Sequence, residues 1–188
     1  HWPSPPAMEP GYPISAVPHD TPKEPQGPWA LPGSYTVRLT VDGAPFTQPL
    51  RVEMDPRVKT SADGLRQQLE LSFRVAQAMQ QGFVALSELR AARSSLARNP
   101  GAAAGADLDR RLADLEGPKE SPRPWLRQEK PSLAAWNARL SELLASLQSA
   151  DVAPTPQLAQ AAESTLRDVA QLASRWAALK SEAAALPH

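Results

Sequence analysis

The sequence predicts an α+β chain that is mainly α: an antiparallel helical bundle preceded by a proline-rich strap and a β-hairpin. Two observations carry this expectation. Of the 21 prolines in 188 residues, 10 fall within the first 32 positions, whereas alanine and leucine crowd the part after Thr60. The apolar period also changes along the chain, from two residues between Tyr35 and Met54 to three and four residues from Thr60 onward. The expected division is therefore 1–57, strap and hairpin, and 58–188, the bundle.

Residues 1–32 are excluded from helix, because each proline removes a donor and pushes its predecessor toward extended geometry. Trp2, Tyr12, Ile14, Val17, Trp29 and Leu31 are interleaved with those prolines. So many large apolar groups fit a strap laid over a neighbouring surface better than a free linker. Next, Tyr35, Val37, Leu39 and Val41 alternate with Thr36, Arg38 and Thr40, as in a half-buried strand. Asp42-Gly43 is a hairpin turn, and the return strand runs from Phe46 to Met54. Pro49 marks it as an edge strand or a bulge. Two strands alone are marginally stable, so this hairpin calls for further strands. Asp55-Pro56-Arg57 reads as a rigid corner in which Arg57 pairs locally.

The helical part opens with Thr60-Ser61-Ala62-Asp63, whose spacing is that of a capping box led by Thr60. Leu65, Leu69, Ser72, Ala76, Met79, Phe83 and Leu86 form one stripe of a long helix that ends near Arg98, before Asn99-Pro100-Gly101. Residues 101–106 read as a flexible joint. Asp107 then caps a short helix carrying Leu108, Leu112 and Leu115, which Gly117-Pro118 ends. Lys119 to Pro131 reads as a loop holding Trp125 and Leu126 against the bundle. Ser132 caps a helix with Leu133, Trp136, Leu140, Leu143 and Leu147, and Thr155-Pro156 opens the last one. There Leu158, Ala162, Thr165, Val169, Leu172, Trp176, Leu179, Ala183 and Leu186 alternate by four and three. At 1.5 Å per residue, the outer helices are roughly 55 and 45 Å long, and the two short ones end to end match one such leg. Two architectures fit: three antiparallel legs with a broken middle one, or four unequal helices.

Composition excludes several function classes. Lys+Arg and Asp+Glu number 20 each, which leaves no net field to draw nucleic acid. No apolar run reaches the ~18 residues of a membrane span. The absence of cysteine removes disulfides and thiolate metal sites. A start at His1 without a signal-like apolar segment fits a mature, proteolysed or excised fragment.

The search for chemistry returns no catalytic, cofactor or metal residues. His1, His19 and His188 share no helical spacing with each other or with a carboxylate. No Gly-x-Ser-x-Gly elbow or phosphate loop occurs, and Glu70, Glu88, Glu116, Glu142, Glu163 and Glu182 stand apart on polar faces. A hydrolase in its own right is therefore the weakest reading. Trp136 and Trp176 lie on apolar stripes and belong to the core. Trp2, Trp29 and Trp125 lie in proline-rich stretches, where they anchor extended chain or, alternatively, form a stacking surface for a carbohydrate or cell-envelope ligand.

The stretch from Gly27 to Gly43, followed by Thr47-Gln-Pro-Leu-Arg-Val-Glu-Met-Asp-Pro-Arg57, resembles the C-terminal region of secreted bacterial proteins with sortilin/Vps10-like or BNR (Asp-box) β-propeller repeats. Such proteins are often labelled glycosyl hydrolases. The resemblance extends through the long helix to an opening of the last helix like Asp151-Val-Ala-Pro-Thr155. It implies that the hairpin is the last part of an incomplete immunoglobulin-like module, and that the chain is secreted or periplasmic. Its partner would be the upstream β-propeller or another protein, with self-association a further expectation. The chain holds no Asp box (Ser-x-Asp-x-Gly-x-Thr-Trp), so no propeller site carries over. The implied role is that of a non-catalytic accessory or interaction module.

Overall fold

The computed structural model describes residues 27–98, 103–117 and 131–185. The elements run β1 (Gly33–Val41), β2 (Ala44–Val52), α1 (Ala62–Arg98), α2 (Ala103–Glu116), α3 (Leu133–Leu147) and α4 (Pro156–Ala185). The fold class is α+β and mainly α, as the change of period implies.

β1 and β2 pair antiparallel from Gly33↔Val52 to Val41↔Ala44. Asp42 (φ 49°) and Gly43 (φ 83°) both adopt positive φ, which is the two-residue turn whose twist suits a hairpin. β2 stops at Val52, two residues short of the expected Met54. The chain there turns into the corner, where the Arg57 backbone N–H donates to Asp55 Oδ1 at 2.9 Å and Arg57 Nη2 donates to Asp55 Oδ2 at 2.6 Å.

The start of α1 corrects the capping assignment. Ser61, not Thr60, is the cap: Gly64 N–H donates to Ser61 Oγ at 3.1 Å and Leu65 N–H to the Ser61 carbonyl at 3.1 Å. The Thr60 hydroxyl instead donates to the Asp151 carbonyl, and Asp63 pairs with Arg66. Tertiary contact has won over local spacing. α2 likewise begins at Ala103, inside the expected joint, so Asp107 is no cap. Its carboxylate pairs with Arg110 and Arg111 one turn on. Ser132 and Thr155 cap as expected, donated to by Ala135 N–H (3.3 Å) and Leu158 N–H (3.2 Å). Gly117 (φ 82°) closes α2.

The bundle has three legs. Arg74 of α1 pairs with Glu163 near the start of α4, and Glu88 further along α1 accepts from Lys180 near its end, so α1 and α4 run parallel. Gln68 at the start of α1 donates to the carbonyl of Leu147 at the end of α3. Arg90 and Arg93, far along α1, hold Glu116 of α2. α2 and α3 therefore share the descending leg, and a Cβ on Gly117 would clash with Ser132 Oγ, so the two halves abut. This is the broken middle leg.

The core joins Val75, Met79 and Leu89 of α1 to Leu108, Leu112 and Leu115, to Leu133, Trp136, Leu140 and Leu144, and to Val169, Leu172 and Trp176. The single stripe expected on α1 is too narrow. Phe83 is 36% exposed and Leu69 half-buried, while Leu71, Val75, Ala78, Ala85 and Leu89 are buried. A helix facing two other legs buries a wider face than one seam. Gly82 lets α3 approach: a Cβ there would meet Asn137 Oδ1 at 2.8 Å and Trp136 Cε2 at 3.4 Å. On α3 the fourth apolar contact is Leu144, with Leu143 partly buried. The loop expected over 119–131 lies outside the described residues except Pro131.

Candidate interaction surface

The hairpin separates its side chains by parity. The register puts Tyr35 opposite Leu50, Val37 opposite Gln48, Leu39 opposite Phe46 and Val41 opposite Ala44 on one face. The other face holds Ser34 opposite Arg51, Thr36 opposite Pro49, Arg38 opposite Thr47 and Thr40 opposite Pro45. One face is thus almost wholly apolar. It is also bare: Leu39 is 60% exposed and Phe46 59%, and Val37, Val41 and Leu50 are close to half exposed. Neither strand packs against any of the four helices. Exposed apolar groups scattered singly are ordinary; five on one small face form a contiguous apolar patch.

The hairpin is nevertheless held at its base. Tyr35 Oη donates to the Leu31 carbonyl at 2.6 Å, four residues upstream. A tyrosine bonded to a backbone carbonyl a few residues upstream resembles the tyrosine corner of β-sandwich strands. The sequence signal is a tyrosine two residues after Pro32-Gly33, which the alternation argument used only as a face-forming residue. Upstream of the corner, Gly27 and Pro28 are buried and Trp29, Ala30 and Leu31 half-buried. Trp29 N–H donates to Gln148 Oε1 at 2.8 Å, beyond the end of α3. The described end of the strap therefore lies on the bundle.

Of the three tryptophans expected to form a docking or ligand surface, Trp29 is the one that can be placed. Trp2 and Trp125 lie outside the described residues, as do His1, His19 and His188. Trp29 lines a cavity of about 20 Å³ with Leu31, Met54, Leu65, Gln68, Ser72 and Gln148. That volume accommodates roughly one water molecule. Trp136 and Trp176 are core residues, 4% and 6% exposed. Trp176 Nε1 donates to Glu88 at 3.3 Å.

Several ion pairs join one helix to another. Glu116 is the most buried of their groups, its side chain 3% exposed, accepting from Arg90 Nε at 2.9 Å and Arg93 Nη1 at 2.6 Å. Burial by itself would raise the Glu116 carboxyl, but the hydrogen bonds from Arg90 and Arg93 outweigh it and hold the group below its ordinary value. Asp109 adds a second carboxylate on Arg93 at 2.8 Å. Glu88, Glu163 and Glu182 are also held low, by hydrogen bonds from Lys180, Arg74 and Arg111 respectively. Among the described residues, no group of three His, Cys, Asp or Glu side chains converges as a metal site would require. No helix is long and apolar enough to cross a membrane among those residues.

No family model, curated protein or solved structure matches the chain.

Proposed function

We propose that the chain is a non-catalytic accessory or interaction module of a larger secreted β-propeller protein, and that it acts by docking through its hairpin. The observation that carries this reading is the bare apolar face around Leu39 and Phe46, set on a bundle whose own stripes are buried. The likeness of the Tyr35 bond to a tyrosine corner supports the hairpin's membership of an incomplete immunoglobulin-like module, since that device belongs to β-sandwiches. The bundle serves as the platform: the strap's Trp29–Gln148 bond before β1 and the Thr60–Asp151 contact after β2 tie the chain on either side of the hairpin to one end of it. The partner is the β-rich polypeptide upstream, or another protein of the same character. The carbohydrate-binding alternative needs Trp29 as an open platform, and its half-buried place beside Gln148 favours the anchoring role.

The native chain has no cysteine, so Leu39→Cys provides a clean reporter. Its maleimide reactivity is to be compared in the present chain and in a polypeptide extended upstream through the preceding β region. Protection in the longer polypeptide is expected. Equal reactivity in both would overturn the docking reading.

A further inference from the structure

The two halves of the middle leg are held by different means. α3 buries Leu133, Trp136, Leu140, Leu144 and Leu147, and among the described residues it makes no ion pair with another helix. α2 is nearly as long, 14 residues against 15, yet among its described side chains the buried apolar ones are Leu108, Leu112 and Leu115. Charge does the rest. On one flank Glu116 accepts from Arg90 and Arg93 of α1, and Asp109 also pairs with Arg93. On the other flank Arg111 pairs with Glu182 of α4, and Asp114 with Arg175. The helix-stopping residues Asn99-Pro100-Gly101 and Gly117-Pro118 flank α2 in the sequence, so neither neighbouring helix runs into it. A 14-residue helix is marginal by itself, so α2 depends on staying docked.

The pairs on the α4 flank are exposed and screened by solvent, so they contribute little each. Glu116 differs, being buried between two guanidinium groups. Its protonation leaves Arg90 without an acceptor among the described residues and Arg93 with Asp109 alone. α3 adds no ion pair there; its Ser132 hydroxyl is what abuts the end of α2. We propose that α2 is an acid-released helix, latched at neutral pH through Glu116 and able to undock as a unit while α1, α3 and α4 stay packed. Burial raises the Glu116 carboxyl, but the bonds from Arg90 and Arg93 outweigh it and hold the group below its ordinary value. The latch is therefore closed above the ordinary carboxylate range and opens as pH falls through the folded value. Opening uncovers Leu108, Leu112 and Leu115, a stripe that is fully buried at neutral pH.

The test is amide exchange of the full chain, followed residue by residue by NMR in neutral and acidic buffer. At neutral pH, Leu112 of α2 and Leu140 of α3 should be protected alike. At about pH 3.5 the protection of Leu112 should fall at least about tenfold below that of Leu140. Glu116→Gln should bring the same fall at neutral pH, with Leu140 protection retained as the sign that the rest of the bundle is folded. Glu163→Gln breaks an exposed pair between α1 and α4 and should leave the ratio of the two amides unchanged at both pH values. Equal protection of Leu112 and Leu140 at about pH 3.5 would overturn the latch. Joint loss of both, in acid or in Glu116→Gln, would overturn it too, because α2 would then open only with the whole bundle. So would a Glu163→Gln effect as large as that of Glu116→Gln, or a Leu112 amide in Glu116→Gln as protected as in wild type.

Discussion

The bundle and the hairpin follow the same rule, apolar residues repeated at the period of their secondary structure, and end in opposite states. In the bundle the repeats of three legs close on one another, and Val75, Leu89, Leu112 and Leu140 are fully buried. In the hairpin the repeat is equally regular, yet Leu39 and Phe46 stay mostly exposed. A three-legged bundle holds both sides of every seam in its own sequence. A two-stranded sheet holds one side only. The same alternation thus stabilises the bundle, where its complement is in the chain, and on the hairpin leaves an apolar face uncovered among the described residues, which is the face the docking proposal uses.

The largest expected contrast is between two truncations. Trp136→Ala should lower unfolding free energy by about 3–5 kcal/mol, because it empties the space facing Gly82 between α1 and α3. Leu39→Ala should stay within about 0.5 kcal/mol of wild type, since among the described residues it packs only on its own hairpin, against Phe46 across the strand pair. Urea titrations followed at the helical ellipticity minimum would compare them. A large effect of Leu39→Ala would mean that the face is already covered.

Next in size is the Glu116 contact between α1 and α2. Its folded pKa lies below the ordinary value, so its stabilisation is present above the ordinary carboxylate range and is lost as pH falls through the folded value. Glu116→Gln should therefore destabilise by about 1–3 kcal/mol at neutral pH. The gap to wild type should close as the pH drops below about 4. Thermal melts of both proteins across that range give the measurement; a pH-independent gap would contradict the assignment. Glu88, Glu163 and Glu182 titrate in the same direction, but their exposed pairs are screened and contribute less.

These two regions were unequally legible in the sequence. Proline crowding, the hairpin turn, the helix ends at Arg98 and Gly117, and the caps Ser132 and Thr155 all follow from local rules, while lengths narrowed the bundle to three legs with a broken middle one or four unequal helices. What escaped was decided by contacts distant in sequence. Thr60 was claimed by Asp151, so the cap moved to Ser61. Gly82 reads as a weak helix residue until Trp136 is placed against it. The Arg90–Glu116–Arg93 cluster joins residues on separate helices, and single charges reveal no such pairing. On the hairpin, alternation disclosed the apolar face, but the bond from Tyr35 to the Leu31 carbonyl emerged only with the structure.

Smaller effects refine the comparison. Ser132→Ala removes the cap of α3 and should lower stability by about 1 kcal/mol in the same titration. Tyr35→Phe removes one hydrogen bond to the Leu31 carbonyl, worth about 0.5–1.5 kcal/mol, and only to the hairpin. It should raise amide exchange at Val37 and Leu39 while leaving the helical transition in place.

Native-state hydrogen exchange on the whole chain tests the central contrast most directly. A self-sufficient bundle should show core amides at Met79, Leu112, Leu140 and Leu172 exchanging only by global unfolding. The inward-facing hairpin amides of Tyr35, Val37, Leu39 and Phe46 should open at much smaller free energies, independently of the helices. Hairpin amides as protected as those of the bundle would show that the two regions fold as one, and would contradict the reading of the apolar face as an unfilled interface.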